Sequence, residues 1–524
     1  LRKAKWNLTL PIAEARRNEE LVSLADSQIL RWIDQLNDIT DADESAREIK
    51  SKIRRIRKET GTIQNRREIK RLYDLLDTIQ SKSDYICVIM DRKKDFYRAC
   101  KGFSINGIQY RRLLGTNGGV KNKTIVFVAD RHRNELCRRI ENGRDESVEM
   151  VPAKFEAYKA LTCSASIPVS TPRGVIIVND CETEFLSDII YINDETPGEP
   201  VIEERNNEPI TLNESDGYGI MLPCLAKRWA AELDLDYLPS GVNTRFAWEK
   251  GMVFTFDFRE FADKVANAHI IKDAWGVDRD IRDVELVLTT SMVKLWDSYK
   301  SLDEYMESSL GNGYQFGIAK VCPENLESER NLNYQFIQSY NLSNDDIDEL
   351  IEPTMSEIND ILHADYRKTL LFLGGIGLVD RDPATLPDDY IKALMIQPRM
   401  LDDPYIQSKV YQQIKNRINE AKVGVVKVHG NYSIVSGDPY SLCQSMFGME
   451  VTGLLKPGEI YNSYWADAGS DKLVCFRAPM TCHNNIRAVT VNKSDEVKHW
   501  YRYMNTCTAF NSFDTIACAL NGMD

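Results

Sequence analysis

Pro239-Ser240-Gly241-Val242-Asn243-Thr244-Arg245-Phe246-Ala247-Trp248-Glu249-Lys250-Gly251-Met252-Val253 is the stretch on which the reading of this chain turns. It runs on into Phe254-Thr255-Phe256-Asp257, a short apolar series rich in aromatic and β-branched residues, which suits a buried strand. Upstream lies Asp216-Gly217-Tyr218-Gly219-Ile220, and downstream Leu288-Thr289-Thr290-Ser291-Met292-Val293-Lys294-Leu295-Trp296. With Gly174-Val175-Ile176-Ile177-Val178, these make residues from about 170 to 299 strand-rich. Taken singly, Lys250 and Lys294 read as exposed lysines at strand ends.

Helical patterning flanks this region. Leu21/Leu24, Ile29/Trp32/Ile33/Leu36 and Ile49/Ile53/Ile56 recur at spacings of three and four. Tyr85–Met90 and Thr124–Ala129 read as strands, and the glycines of Tyr110–Gly119 lack the order of a phosphate loop. Further on, Ser343 caps a helix that Pro353 is expected to end, and Thr354-Met355-Ser356-Glu357 fits a capping box opening a second. An amphipathic segment spans Ser408–Ala421, and strand character resumes at Val423–Val428. The expected class is α+β. Residues 1–82 form a helical basic N-terminal arm, 83–169 a mixed α/β domain, 170–300 a first β unit, 301–421 a helical connector and 422–524 a second β unit.

Composition bounds the function. The 524 residues are 43% hydrophobic and 28% charged, as in a globular protein of several domains. No apolar run approaches the roughly 20 residues of a membrane helix. Leu370–Val379 is short and glycine-broken and reads as core. Twelve cysteines include no C-x-x-C, and the spacing of Cys475, Cys482, Cys507 and Cys518 matches no common zinc module, so reduced cytosolic thiols are expected. A net charge of −13 weighs against nucleic acid, yet Arg47–Arg71 carries eleven Lys/Arg against three Glu. A second basic stretch runs from Arg92 to Arg139, while acid gathers in 188–214 and 345–360. A chain that starts at Leu1 and stops at Asp524 reads as an excerpt.

The motifs D-G-x-G, P-S-x-x-x-x-R-x-x-x-x-K-G and S-M-x-K stand here as Asp216–Gly219, Pro239–Gly251 and Ser291–Lys294. Together they resemble the first double-psi β-barrel of cellular RNA-silencing RNA-dependent RNA polymerases and of the single-chain RNA polymerases of bacteriophages (the YonO-like group). Near the C-terminus, Arg477-x-Pro479, Asn484-Asn485-Ile486-Arg487 and Asn521-Gly522-Met523-Asp524 resemble the approach to the D-x-D-G-D loop of the second barrel. The resemblance implies two double-psi barrels separated by the helical connector. It places Lys250 and Lys294 near the nucleotide phosphates and the RNA 3′ end as catalytic residues, with Arg245 binding substrate. It puts Arg477 at the ribose or phosphates of the incoming nucleotide, and Asn521 at the 2′-hydroxyl, although Asn521 precedes the Asp by three positions rather than two. Asp524 becomes the first of three carboxylates on Mg²⁺, and Asp is expected two and four residues beyond it.

The implied activity is template-directed synthesis of an RNA product from ribonucleoside triphosphates by two metal ions. The resemblance favours an enzyme that is DNA-directed rather than RNA-templated, phage or prophage encoded, and at work in the host cytoplasm. The 524 residues alone, with one carboxylate of the triad, are expected to be inactive. The chemistry agrees: phosphoryl transfer builds negative charge, which fixed ammonium groups offset in a dry site. Two other readings are a non-catalytic nucleic-acid-binding protein using the basic arm, and a metal-dependent hydrolase. Neither H-E-x-x-H nor G-x-S-x-G supports the latter.

Overall fold

Two sheets built on one plan organise the chain. The computed structural model describes residues 49–53, 72, 84–89, 93–105, 107–115, 124–193, 198, 200–213, 215–363, 365–374, 388–478, 480 and 483–511. Most of the expected N-terminal arm, together with Asn521 and Asp524, lies outside them. The fold divides into two units, each assembled from separated segments of the chain.

In the first unit, Tyr85–Ile89, Thr124–Ala129, Ile108–Gly115 and Phe103–Ile105 form an antiparallel sheet in that order. The main sheet contains β1 (Ile167–Pro168), β2 (Val175–Val178), β3 (Tyr218–Met221), β4 (Gly241–Arg245), β5 (Lys250–Thr255), β6 (Leu286–Thr289) and β7 (Gly317–Val321), in the order β1-β7-β4-β5-β3-β6-β2. Strands β3 and β6 are buried at every residue, which is why neither alternates between apolar and polar residues; the Thr289 hydroxyl donates to the Tyr218 carbonyl at 2.8 Å. Helix α1 (Pro223–Glu232) follows β3 and buries Trp229, whose indole N–H donates to the Ser170 carbonyl at 2.9 Å. Leu114, Val126 and Leu136 share one core with Trp229, Trp248 and Tyr305, so the small sheet and the main sheet are packed as a single body. After β5, the short helix α2 (Phe258–Phe261) is capped by the Asp257 carboxylate, which accepts from the Glu260 amide at 3.0 Å.

The second unit has a helical part and a sheet. Helix α3 runs unbroken from Asn344 to Leu362, with Ser343 and Asp346 forming the capping box at its start. The expected stop at Pro353 is therefore corrected: the proline sits inside one helix. A proline there removes a backbone bond, but tertiary contacts hold the segment straight through it. The Thr354 hydroxyl accepts from the Lys427 amide at 2.8 Å and from the Arg417 guanidinium at 3.3 Å. One turn further on, Ile358 and Ile361 pack against Ile406, Val410 and Ile414 of α4 (Pro404–Ala421). Two further readings change. Only Lys427–His429 of the second β unit's expected opening is strand, and Val423 is exposed. Of the Leu370–Val379 run, 370–374 end a helix (Tyr366–Gly374) with Leu370 and Leu373 half-buried and Leu371 exposed, so these residues are not all core, and 375–379 lie outside the described residues.

The sheet of the second unit contains β8 (Ile434–Ser436), β9 (Glu459–Tyr461), β10 (Lys472–Phe476), β11 (Ile486–Val491) and β12 (Cys507–Phe510), ordered β8-β12-β9-β11-β10. Its successive pairings are parallel, antiparallel, parallel and antiparallel. In the first sheet, β2-β6-β3-β5-β4 repeat that series. Numbered along the chain, both run first, fifth, second, fourth, third. The match extends to helices, since α5 (Ser463–Asp467) follows β9 as α1 follows β3, and α6 (Asp495–Trp500) follows β11 as α2 follows β5.

Candidate active site

The sequence motifs of the first sheet meet at one corner. Strands β4 and β5 form a hairpin whose register sets Arg245 opposite Lys250. The residues before Lys250 then pair with the turn after β6: the Lys250 amide donates to the Met292 carbonyl at 3.1 Å, and the Lys294 amide to the Trp248 carbonyl at 3.0 Å. Backbone hydrogen bonds thus bring Arg245, Lys250 and Lys294 together across fifty residues of sequence. Trp248 and Leu295 flank this bridge with φ of 58° and 64°. For residues with a Cβ, that conformation costs about 1–2 kcal/mol, and strain of this kind gathers where structure over-determines a site.

Glycine makes the corner possible. Gly217 enters β3 at φ 66°, and its carbonyl accepts from the Met252 amide at 2.9 Å. A Cβ on Gly251 would lie 2.1 Å from that same carbonyl oxygen, and one on Gly219 would lie 2.7 Å from the Val287 carbonyl. The glycines of the motifs are thus explained by backbone approaching backbone.

The electrostatics are those of an anion site. Partial burial, and then Arg245 and Lys294, push the Lys250 ammonium below its ordinary pKa. Burial likewise lowers Arg245, against the pull of Glu249. Lys294 donates to the Ser291 carbonyl and stands 3.9 Å from Asp216, a carboxylate exposed enough for solvent to weaken the pair. Glu249 is wholly buried. The Thr244 hydroxyl donates to its Oε1 at 2.6 Å, while Oε2 has no hydrogen-bond partner. Burial pushes its carboxyl up to about 7, with Thr244 and Arg245 opposing. Arg245 and Lys294 both act against the Lys250 charge, and a polyanion would relieve that repulsion.

A second set of side chains, absent from the motif reading, ties this corner down. Asp180 accepts from the Thr290 hydroxyl at 2.6 Å, the Ser291 amide at 2.8 Å, the Ser215 hydroxyl at 3.2 Å and the Ser291 hydroxyl. The serine of S-M-x-K was a visible signal for this network. Asp180 itself carried none, because its role depends on the ends of β2 and β6 being neighbours.

In the second sheet, Arg477 is exposed just beyond the end of β10, and Arg487 of β11 stands opposite Cys475 of β10. Asp438 is buried and accepts from the Tyr501 hydroxyl at 2.5 Å and the Leu454 amide at 3.1 Å. Among the described residues, no three His, Cys, Asp or Glu side chains gather as a metal site. The structure therefore unites Arg245, Lys250 and Lys294 and assigns Arg477 to the other unit.

Residues 48–510 match the RNA dependent RNA polymerase family (RdRP), and the chain belongs to that family. It is similar to the DNA-directed RNA polymerase YonO of Bacillus phage SPbeta, with 28% identity over 420 residues, covering 76% of this chain and 46% of that protein. Its fold matches the RNA dependent RNA polymerase QDE-1 from Thielavia terrestris at a TM-score of 0.50 and 15% identity, covering 80% of this chain and 44% of the other. The chain thus spans less than half the length of these relatives.

Proposed function

We propose that this chain is the catalytic portion of an RNA polymerase that builds RNA on a nucleic-acid template from ribonucleoside triphosphates. The observation that carries the proposal is the corner where backbone pairing brings Arg245, Lys250 and Lys294 together, in a chain of the RdRP family. Each main sheet is read as a double-psi β-barrel, and the domain boundaries expected from the sequence are kept with that reading. Lys250 and Lys294 offset charge on the reacting phosphate and the pyrophosphate leaving group, and Arg245 holds the nucleotide. Fixed cations of this kind need no reorganisation as the charge develops. Arg477 and Asn521 contact the incoming nucleotide in this scheme.

Asp524 is the proposed Mg²⁺ ligand, and hard carboxylate oxygen is the donor that ion prefers. When bound, two such ions would stabilise the attacking and leaving oxygens. The name of the phage relative favours a DNA template, a phage or prophage source and work in the host cytoplasm. No helix among the described residues is long and apolar enough to cross a membrane.

The test supplies the complete gene product with template, ribonucleoside triphosphates and Mg²⁺. RNA synthesis is expected, and Lys250→Ala is expected to lower kcat by about 10²–10³ with an unchanged melting temperature. Full activity in Lys250→Ala would sink the assignment.

A further inference from the structure

Parallel pairing of β2 with β6 sets Val178 beside Thr289, so the residues that follow the two strands are neighbours. Asp180 lies two residues past the end of β2 and uses both carboxylate oxygens on the turn that follows β6. Its Oδ2 accepts from the Thr290 hydroxyl and the Ser291 amide, and its Oδ1 from the hydroxyls of Ser291 and Ser215. Bonds to an ionised acceptor are about twice as strong as neutral ones, and here they converge on a single turn. The Ser291 hydroxyl, oriented by Asp180, in turn accepts from the Gly217 amide at 2.8 Å. The Ser291 carbonyl accepts from the Lys294 ammonium. One carboxylate is thereby coupled to the catalytic lysine and to the glycine beside Asp216.

We propose that Asp180 is a positioning residue, clamping the Thr290–Ser291 turn to the end of β2 so that Lys294 is held where the nucleotide phosphates bind. What Lys294 touches rests on the polymerase reading above; the clamp itself rests on the hydrogen bonds. The Ser291 amide can only donate, and the Ser291 and Ser215 hydroxyls already accept from the Gly217 and Cys181 amides, so a carboxylate with both oxygens available suits this set of donors. An asparagine would turn an amide N–H toward two of them. The second sheet repeats the device: Asp438 lies two residues past the end of β8 and holds the Tyr501 hydroxyl and the Leu454 amide. In both copies, a carboxylate just past the first strand ties down a loop at that end of the sheet.

Two readouts test the clamp. The first is ribonucleotide incorporation by the complete gene product carrying Asp180→Asn, Lys294→Ala or both. Asp180→Asn is expected to lower kcat by about a hundredfold, the scale of a 1 Å misplacement, with little change in KM. In the Lys294→Ala background the same change is expected to add nothing, because both act through one group. Multiplying effects in the double variant would overturn the proposal.

The second readout needs no activity. Acetylation of Lys294 by an amine-reactive ester, followed by mass spectrometry with Lys250 as internal reference, is expected to speed up severalfold in Asp180→Asn. An unchanged ratio would overturn the clamp. If Asp180→Asn does not fold, Thr290→Val removes one donor to the same carboxylate and is read the same way, with a smaller acceleration expected. If the unsubstituted protein makes no RNA, the polymerase reading fails and the labelling ratio alone decides Asp180.

Discussion

The two sheets share a strand order but differ at the corner where Arg245, Lys250 and Lys294 meet. The carbonyls of Gly217 and Gly458 occupy matching places: one accepts from the Met252 amide, the other from the Thr490 amide, each at 2.9 Å. Tyr218 pairs with Met252 as Glu459 pairs with Thr490. By that register, Lys250 and Gly251 correspond to Ala488 and Val489. The first sheet has room for no side chain at Gly251, whereas the second buries a valine there. At Gly458 an added Cβ would meet nothing within 4 Å, and at its counterpart Gly217 only the Lys250 carbonyl at 3.8 Å, so the two sheets differ at the fourth strand and not at this glycine. One topology thus accommodates a glycine pressed against backbone in the first sheet and a buried valine at the same register position in the second. Strand order therefore does not assign a role to either sheet; the side-chain volume at one position separates them.

The sharpest way to break this comparison is to place the second sheet's residue in the first. Gly251→Val drives a branched side chain into the Gly217 carbonyl, which as backbone cannot swing away. A loss of at least about 3 kcal/mol is expected, the upper range for overpacking, read by chemical denaturation. A stable Gly251→Val protein would show that the close approach does not exist.

Glu249 sharpens the comparison through pH. Its folded-state carboxyl lies near 7, above the ordinary 4.5. The folded state therefore binds this proton more tightly than the unfolded one, so stability from this group is greatest at low pH and falls as pH rises from about 4.5 to about 7. Glu249→Gln is expected to remove that slope, gaining up to about 3 kcal/mol on the parent between pH 4 and pH 8. Parallel stability curves for the two proteins would place Glu249 in water rather than in the core.

The smallest expected effects concern the helices that follow the fourth strands. Asp257 and Ser494 cap them, accepting from the Glu260 and Val497 amides. Replacing either by Ala is expected to cost about 1 kcal/mol. Similar losses in the two units would extend the correspondence to their capping, and a loss in only one would limit it to the strands.

Much of this was legible in the residues. Apolar runs marked β2 and β5, and Ser343 marked a helix start, because burial and capping leave local signatures. Pro353 misled, since a hydroxyl at Thr354 and an apolar seam with α4 outweighed the local penalty. Lys250, Lys294 and Arg245 were readable as a motif, whereas Asp180 was not. No spacing along the chain announces that residue 180 will lie beside residue 291.

By itself, the sequence determined which residues could carry charge to a phosphate, and that strands and helices would alternate in blocks. Those properties belong to single residues and their near neighbours. Only the tertiary structure decided that two blocks repeat one strand order, that Arg245 faces Lys250, and that Glu249 is shut away from water with one oxygen unpartnered. Register and strand neighbourhood depend on hydrogen bonds between distant segments, and the cost of burying a charge depends on everything packed around it.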